Sequence, residues 1–137
     1  MLLLLGVNRR VRVKMGDEAD VTPSMLPELA LNAEPLPDDG PVLIQIEYRI
    51  DAENVDRFLA AIHKAEIIRR RNGAHEWLIF RDLADDGRFV ERFMIRSWGE
   101  YVRLRTRLTI ADRELQDAVE GLQQAGVPVR VSRLIAT

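Results

Sequence analysis

The order of hydrophobic patterns along residues 41–137 is the feature that most limits what this chain can fold into. The patterns follow as strand, helix, strand, strand, helix, strand, and a tight turn at Ala84-Asp85-Asp86-Gly87 is expected to join the two middle strands. This order is typical of the split βαβ, or ferredoxin-like, arrangement. We therefore predict an α+β fold of βαββαβ order, with one four-stranded antiparallel sheet and the helices on one of its faces.

The first strand and the first helix are defined by their periodicities. Apolar side chains occupy every second position of the strand: Val42, Ile44, Ile46, Tyr48 and Ile50. Such alternation predicts a half-buried strand. Asp51 is expected to cap the long helix that follows, because its carboxylate can accept from the free N–H groups of the first turn. Gly73 is the predicted C′ residue of that helix, where glycine readily adopts the left-handed conformation.

Residues 74–82 and 88–97 are predicted to form a hairpin whose strands carry bulky side chains on both faces. By strict alternation His75, Trp77 and Ile79 share one face of the first strand, and Leu78 and Phe80 share the other. Helices can cover only one face of such a sheet. Because exposed apolar patches usually mark interfaces, we predict a homodimer that packs through the open face of the sheet.

Two capping patterns follow the third strand. Ser97-x-x-Glu100 is a capping box that predicts a short helix directly after the strand, and Thr109-x-x-Asp112 predicts a second helix start. Gly126 is expected to end the second of these helices. Apolar residues between positions 127 and 135 supply the last strand.

Composition excludes several kinds of site. The chain has 137 residues, the size of one domain, and no cysteine, so disulfides, thiolate zinc sites, iron–sulfur clusters and cysteine nucleophiles are excluded. Its formal net charge of −2 provides no overall attraction to nucleic acid. The arginines at 69–71 and at 103, 105 and 107 have acids close by in the sequence, and we interpret them as solvated helix faces rather than as a nucleic-acid site.

The first 40 residues differ in composition from the rest. Residues 1–15 carry four bases and no acid, whereas residues 16–40 carry seven acids, no base and four of the six prolines. Because such a run is typical of a linker, we place an arm at 1–40 and the domain at 41–137. Met1-Leu2-Leu3-Leu4-Leu5 is either an ordinary disordered start or the cut end of a membrane helix, followed by the bases that the positive-inside rule predicts.

Four runs carry a resemblance to a known superfamily: residues 41–50 (PVLIQIEYRI), 73–77 (GAHEW), 86–93 (DGRFVERF) and 97–104 (SWGEYVRL). They resemble the antibiotic-biosynthesis-monooxygenase superfamily of dimeric ferredoxin-like domains. More narrowly, they resemble the bacterial soluble domain that follows the last membrane helix in the transmembrane secretion effector branch of major-facilitator transporters. The resemblance implies a dimeric α/β barrel, and residues 1–40 look like the basic, then acidic and proline-rich, tether of that branch.

The resemblance implies two chemistries, and this sequence departs from both. Some members oxidise aromatic polyketides with oxygen and no cofactor, in a pocket between sheet and helices. Others bind haem through a histidine of the helix after the third strand. This chain has no histidine after His75 and offers Tyr101 and Arg105 in that helix, and an arginine cannot coordinate iron because it is always protonated. We therefore predict no cofactor, no metal ion and no catalytic residue.

Two functional interpretations remain open. One is a non-catalytic accessory domain for dimerisation or ligand sensing, related to a major-facilitator exporter and placed in the cytoplasm, at the inner face of the membrane if it is attached to a transporter. Its expected partners are a second copy, the membrane-embedded part of the transporter and a small aromatic ligand. The alternative is a cofactor-independent monooxygenase acting on an aromatic substrate. The candidate pocket or interface residues are Tyr48, His75, Trp77, Trp98, Tyr101 and Arg105.

Overall fold

The computed structural model describes Leu31 and residues 33–137. The candidate membrane-helix remnant at the N-terminus, and most of the predicted arm, lie outside the described residues. The elements are β1 (Val42–Arg49), a 3-10 turn (Ala52–Asn54), α1 (Val55–Arg71), β2 (His75–Asp82), β3 (Asp85–Ile95), α2 (Trp98–Arg107), α3 (Ile110–Glu120) and β4 (Arg130–Ile135). Each helix in this part of the chain is too short or too polar to cross a bilayer.

The strands form one sheet in the order β2-β3-β1-β4. Every neighbouring pair is antiparallel, with β1 between β3 and β4, and with β2 on the outer side of β3. Together with the helices this is the ferredoxin-like α+β fold that the order of sequence patterns predicted, and the prediction is confirmed. Strands β2 and β4 are the two edges of the sheet.

One face of the sheet is buried beneath the helices. The predicted alternation in β1 is observed, with every second residue buried and the residues between them partly exposed. The ring of Phe58 in α1 lies 5.1 Å from the ring of Tyr48 and 5.2 Å from that of Phe89. Helix α2 lies over the same face. This is shown by Tyr101, whose hydroxyl accepts a hydrogen bond of 2.7 Å from Nε of Arg133 in β4. Arg133 is the β4 partner of the fully buried Ile44.

The start of α1 differs from the prediction, whereas its end agrees. Asp51 precedes the 3-10 turn, and in the described structure its side chain does not cap that turn. Its carboxylate instead accepts a hydrogen bond of 3.0 Å from Nε2 of Gln124, so a partner distant in the sequence replaces the local one. Gly73 has the positive φ, 105°, that was predicted for the C′ position.

The hairpin turn lies two residues earlier than predicted. Leu83 and Ala84 form it, between the end of β2 and the start of β3. The carboxylate of Asp82 accepts a hydrogen bond of 2.8 Å from the N–H of Ala84, which stabilises a turn at this point. Asp85-Asp86-Gly87 belongs to β3, so the predicted turn position was wrong.

Gly87 has a different role from the one predicted. Its carbonyl accepts a hydrogen bond of 2.8 Å from the N–H of Ile50. A Cβ at Gly87 would lie 3.1 Å from the carbonyl oxygen of Ile50. The close approach of the end of β1, rather than a turn, therefore accounts for a glycine here.

Both helix starts predicted after β3 are observed. Oγ of Ser97 accepts from the N–H of Glu100 at 3.2 Å. Thr109 and Asp112 form a reciprocal capping box with hydrogen bonds of 3.2 and 3.1 Å. Helix α3 was predicted to end at Gly126, but it ends earlier, at Glu120. The side chain of Gln123 explains the early end, because it bonds the N–H of Arg49 and the carbonyl of Val127, at 2.8 and 2.9 Å, and so fastens the loop to β1.

The last residues of the predicted arm pack on the domain. The carbonyls of Pro37 and Asp39 accept hydrogen bonds from the N–H groups of Gly99 and Trp98, at 2.9 and 2.7 Å. These donors belong to the first turn of α2, where N–H groups have no partner within the helix. A carboxylate oxygen of Glu34 lies 3.4 Å from the indole nitrogen of Trp98. Residues 34–39, here called the strap, therefore lie across the start of α2.

Candidate functional site

The structure distributes the six candidate residues over three places. Tyr48 and Trp77 lie in the interior between the sheet and the helices, Trp98, Tyr101 and Arg105 lie buried on α2, and His75 lies on the other face of the sheet. The interior pair converges on a residue that was not among the candidates, Glu91. This cluster occupies the region where the superfamily resemblance implied a substrate pocket.

A β-bulge accounts for the position of His75. Glu76 has a positive φ of 54°, and the register shifts between His75 and Leu78, so that β2 contains one extra residue there. His75 consequently lies opposite Met94, with a side chain that is 47% exposed. Trp77 is only 5% exposed on the helix side. The prediction that His75 and Trp77 share a face was therefore wrong.

The carboxylate of Glu91 is fully buried and accepts four hydrogen bonds. Oε1 accepts from the hydroxyl of Tyr48 at 3.0 Å and from Nη2 of Arg69 at 2.9 Å. Oε2 accepts from Nε of Arg69 at 2.7 Å and from the indole of Trp77 at 2.8 Å. The contacts of Arg69 form a bidentate ion pair that joins α1 to the centre of the sheet.

The network continues from Arg69 into α3. Nη2 of Arg69 also donates to Oε1 of Gln116 at 2.9 Å, and Nε2 of Gln116 donates to Glu120 at 2.9 Å. The guanidinium carbon of Arg69 lies 5.4 Å from the centre of the Phe93 ring, which adds a cation–π contact. Burial lowers the pKa of Arg69, but the negative charge and hydrogen bonds of Glu91 outweigh it and hold that pKa above its ordinary value. Arg69 is therefore a permanent cation inside the domain.

The geometry of this cluster suits a structural role better than a catalytic one. A carboxylate offers about four acceptor sites, and the protein's own donors occupy four on Glu91. No acceptor site of the Glu91 carboxylate is left to take a proton from a substrate. Burial, followed by the charge of Glu91, raises the pKa of Tyr48 well above its ordinary value, so its hydroxyl stays protonated and continues to donate.

The two aromatic residues of α2 form a separate cluster. The rings of Trp98 and Tyr101 lie 5.5 Å apart, and both residues are at most 5% exposed. The indole nitrogen of Trp98 faces Glu34 of the strap, and the hydroxyl of Tyr101 accepts from Arg133 of β4. Both polar atoms thus hold parts of the fold together. Arg105 lies on the same helix and is 7% exposed.

The face of the sheet opposite the helices is the second feature of functional interest. The strand registers place the following residues on this open face: Leu43, Gln45, Glu47 and Arg49 of β1; His75, Leu78 and Phe80 of β2; Arg88, Val90, Arg92 and Met94 of β3; and Arg130, Ser132 and Leu134 of β4. Leu78, Phe80 and Leu134 are 52%, 42% and 52% exposed. None of the described elements covers them.

Sequence reasoning missed the residues at the centre of the interior cluster, although signals for two of them were present. Glu91 interrupts the apolar alternation of Phe89, Phe93 and Ile95, which marks a charge on a buried face. Arg69 lies four residues after Ala65 in the apolar stripe of α1, but it was interpreted as part of a solvated helix face, and its burial shows that this interpretation was wrong. Gln116 offered no comparable signal.

No metal site is formed in the described part of the chain, where no three His, Asp or Glu side chains are placed to hold an ion. His63 packs against Trp77 with ring centres 5.4 Å apart, and its Nδ1 lies 3.4 Å from a carboxylate oxygen of Glu66. His75 lies 3.9 Å from the carboxylate of Glu76. Both histidines are thus exposed residues beside a single acid.

Solved structures with the same fold include several proteins of the antibiotic-biosynthesis-monooxygenase type. One from Caulobacter crescentus, named for that activity, is 11% identical and superposes with a TM-score of 0.62 over 74% of this chain and 93% of that one. SnoaB of Streptomyces nogalater, a cofactor-independent oxygenase, is 11% identical with a TM-score of 0.59 over 71% and 93%. A conserved protein of Methanosarcina mazei is 7% identical with a TM-score of 0.61 over 73% and 96%. At these identities the likeness establishes the fold alone.

The sequence itself identifies the family. It has no match among curated proteins. The sequence model of one family, described as Transmembrane secretion effector, matches residues 1–137 and so covers the arm as well as the domain. This agrees with the resemblance that the four runs carry. The chain therefore belongs to the transmembrane secretion effector family, and its described part has the fold that these solved structures share.

Proposed function

We propose that this chain provides a non-catalytic accessory module for a major-facilitator-type exporter, and that the module pairs two copies through the open face of the sheet. Family membership supports the connection with an exporter. It also supports a position in the cytoplasm at the inner face of the membrane, with residues 1–40 as the tether. The observation that carries the proposal is the exposure of large apolar side chains on the open face, at Leu78, Phe80 and Leu134.

The arrangement of apolar residues on the open face favours a protein partner. Leu134, Leu43 and Met94 are cross-strand neighbours, so they form one continuous row across three strands. Val90 and Phe80 form a second apolar pair farther along the sheet. Exposed apolar groups that are contiguous in this way are typical of interaction surfaces.

The polar residues of the open face favour a second copy as that partner. Gln45 and Ser132 are neighbours between the apolar rows, and both side chains can donate and accept hydrogen bonds. Such groups can pair with themselves across a twofold axis, as an isologous interface requires. The acid Glu47 is already matched by Arg88 at 3.0 Å. Arg92 and Arg130 of the same face form no ion pair with any of the described residues, so an interface between two copies has to leave these two cations in contact with water.

The interior cluster supports the non-catalytic part of the proposal. Tyr48 and Trp77, two of the residues that an oxygenase pocket would use, direct their polar atoms at Glu91. Glu91 is in turn neutralised by Arg69. The polar groups of this cluster satisfy one another and hold α1 and α3 on the sheet.

Replacing Leu78 with lysine tests whether two copies pair through the open face of the sheet. A twofold interface would bury this leucine twice, so Leu78→Lys is expected to weaken self-association about 100-fold or more. Sedimentation velocity of the 137-residue chain over a concentration series measures the change. Ile67→Lys is the matched control, because Ile67 is 66% exposed on α1 and lies away from the open face. Equal weakening by both variants, or by neither, would contradict pairing through the open face.

A further inference from the structure

A half-open cleft lies beside the edge strand β2, next to the first turns of α1. It is lined by Val55, Leu59, Ile79, Phe80, Arg81 and Phe89, and its volume is about 130 Å³. Five of the six lining residues are apolar. The cleft is distinct from the interior cluster, since none of the residues that bond Glu91 lines it.

The size and lining of the cleft fit one small apolar group. An apolar cavity of about 150 Å³ lined by Leu, Ile and Phe is known to bind benzene, so a cleft of similar volume is large enough for a single aromatic ring. A fused three-ring substrate would not fit. The ring of Phe89, on the helix side of the sheet, offers an aromatic surface for stacking or edge contacts.

Arg81 is the one charged residue that lines the cleft, and it indicates which polar group the ligand would carry beside its apolar ring. Arg81 is the antiparallel partner of the buried Phe89 and is itself exposed. It forms no ion pair with any of the residues that the structure describes, whereas its neighbour on the adjacent strand, Arg88, binds both Glu47 and Asp82. A guanidinium without an acid beside an apolar cleft is suited to a bidentate carboxylate.

We propose that this cleft binds a small apolar carboxylate of about the size of benzoate, with its ring among Leu59, Ile79 and Phe89 and its carboxylate on Arg81. The site needs no second copy for its geometry, because all of its residues belong to one chain. It deepens the proposed accessory function by giving the module a ligand to sense, and to that extent the inference rests on that function.

Titration of the 137-residue chain with benzoate, followed by amide chemical shifts, tests the site. Shifts are expected at the cleft, and Arg81→Gln is expected to weaken benzoate binding about tenfold, because a hydrogen-bonded charge pair is lost. Benzamide, which has the ring but no charge, should bind equally weakly to both proteins. Arg92→Gln is the matched control, since Arg92 is exposed on the open face and does not line the cleft.

Two results would overturn the proposal. The first is benzoate binding that Arg81→Gln leaves unchanged, and the second is the absence of saturable shifts at the cleft. Repeating the titration in the Leu78→Lys variant separates this test from the proposed self-association. Benzoate should still bind if the cleft is a site, whether or not the chain forms a dimer.

Discussion

Replacing Arg69 with methionine is expected to lower the free energy of unfolding by about 3–5 kcal/mol, because it leaves the buried carboxylate of Glu91 without a cation. Glu91 is 0% exposed, and Arg69 supplies two of its four hydrogen bonds. Methionine keeps an apolar stem of similar length and removes the guanidinium, so the loss of stability reports mainly the missing charge and its hydrogen bonds rather than a lost volume. Urea denaturation of the 137-residue chain measures it.

The neighbouring arginine provides a matched control for this substitution. Arg70 also forms an ion pair, with Glu66 at 2.8 Å, but its side chain is 49% exposed. Arg70→Met is therefore expected to lower the free energy of unfolding by no more than about 1 kcal/mol. Adding Glu91→Gln to Arg69→Met should restore part of the lost stability by removing the uncompensated charge. Equal losses for Arg69→Met and Arg70→Met would show that Glu91 is solvated.

Replacing Gly40 with alanine is expected to lower the free energy of unfolding by about 2–3 kcal/mol, because it overpacks the junction between the strap and α2. A Cβ at Gly40 would lie 2.6 Å from the carbonyl oxygen of Arg96 and 2.8 Å from Cα of Ser97. Both are backbone atoms at the start of α2. The strap cannot move aside without breaking the hydrogen bonds that the carbonyls of Asp39 and Pro37 accept from the first turn of that helix.

The substitution Gly126→Ala is the control for Gly40→Ala. It measures the cost of an unfavourable backbone conformation without a steric clash. Gly126 has a φ of +80°, but a Cβ there would have nothing within 4 Å. Only the cost of a left-handed conformation applies, which is about 1–2 kcal/mol. Urea denaturation of both variants should rank Gly40→Ala as the more destabilising. The reverse order would indicate that the strap does not pack against α2 in solution.

The fold could be predicted from the sequence because local patterns and tertiary structure agree over most of the domain. The alternation from Val42 to Ile50 and the capping box of Thr109 and Asp112 are local signals, and both are observed. Two of the boundaries that were wrong, the start of α1 and the end of α3, depend on distant partners. Asp51 bonds Gln124 instead of capping, and Gln123 ends α3 early by fastening its loop to β1.

The interior cluster could be predicted only in part. Tyr48 and Trp77 were two of the six candidate residues, but the charged residues that bind them, Arg69 and Glu91, were not among the candidates. A charged residue in a sequence is exposed far more often than buried, and the ion pair of Arg69 and Glu91 joins residues 22 positions apart. The bulge at Glu76, which moves His75 to the open face, had no sequence signal, because glutamate seldom adopts a positive φ.

Sedimentation equilibrium of the unmodified 137-residue chain tests the central claim, that the open face of the sheet pairs two copies of the domain. The exposed apolar side chains of β2 and β4 predict a reversible dimer in the micromolar range, with twice the mass of one chain. A single species with the mass of one chain at every concentration would contradict the account.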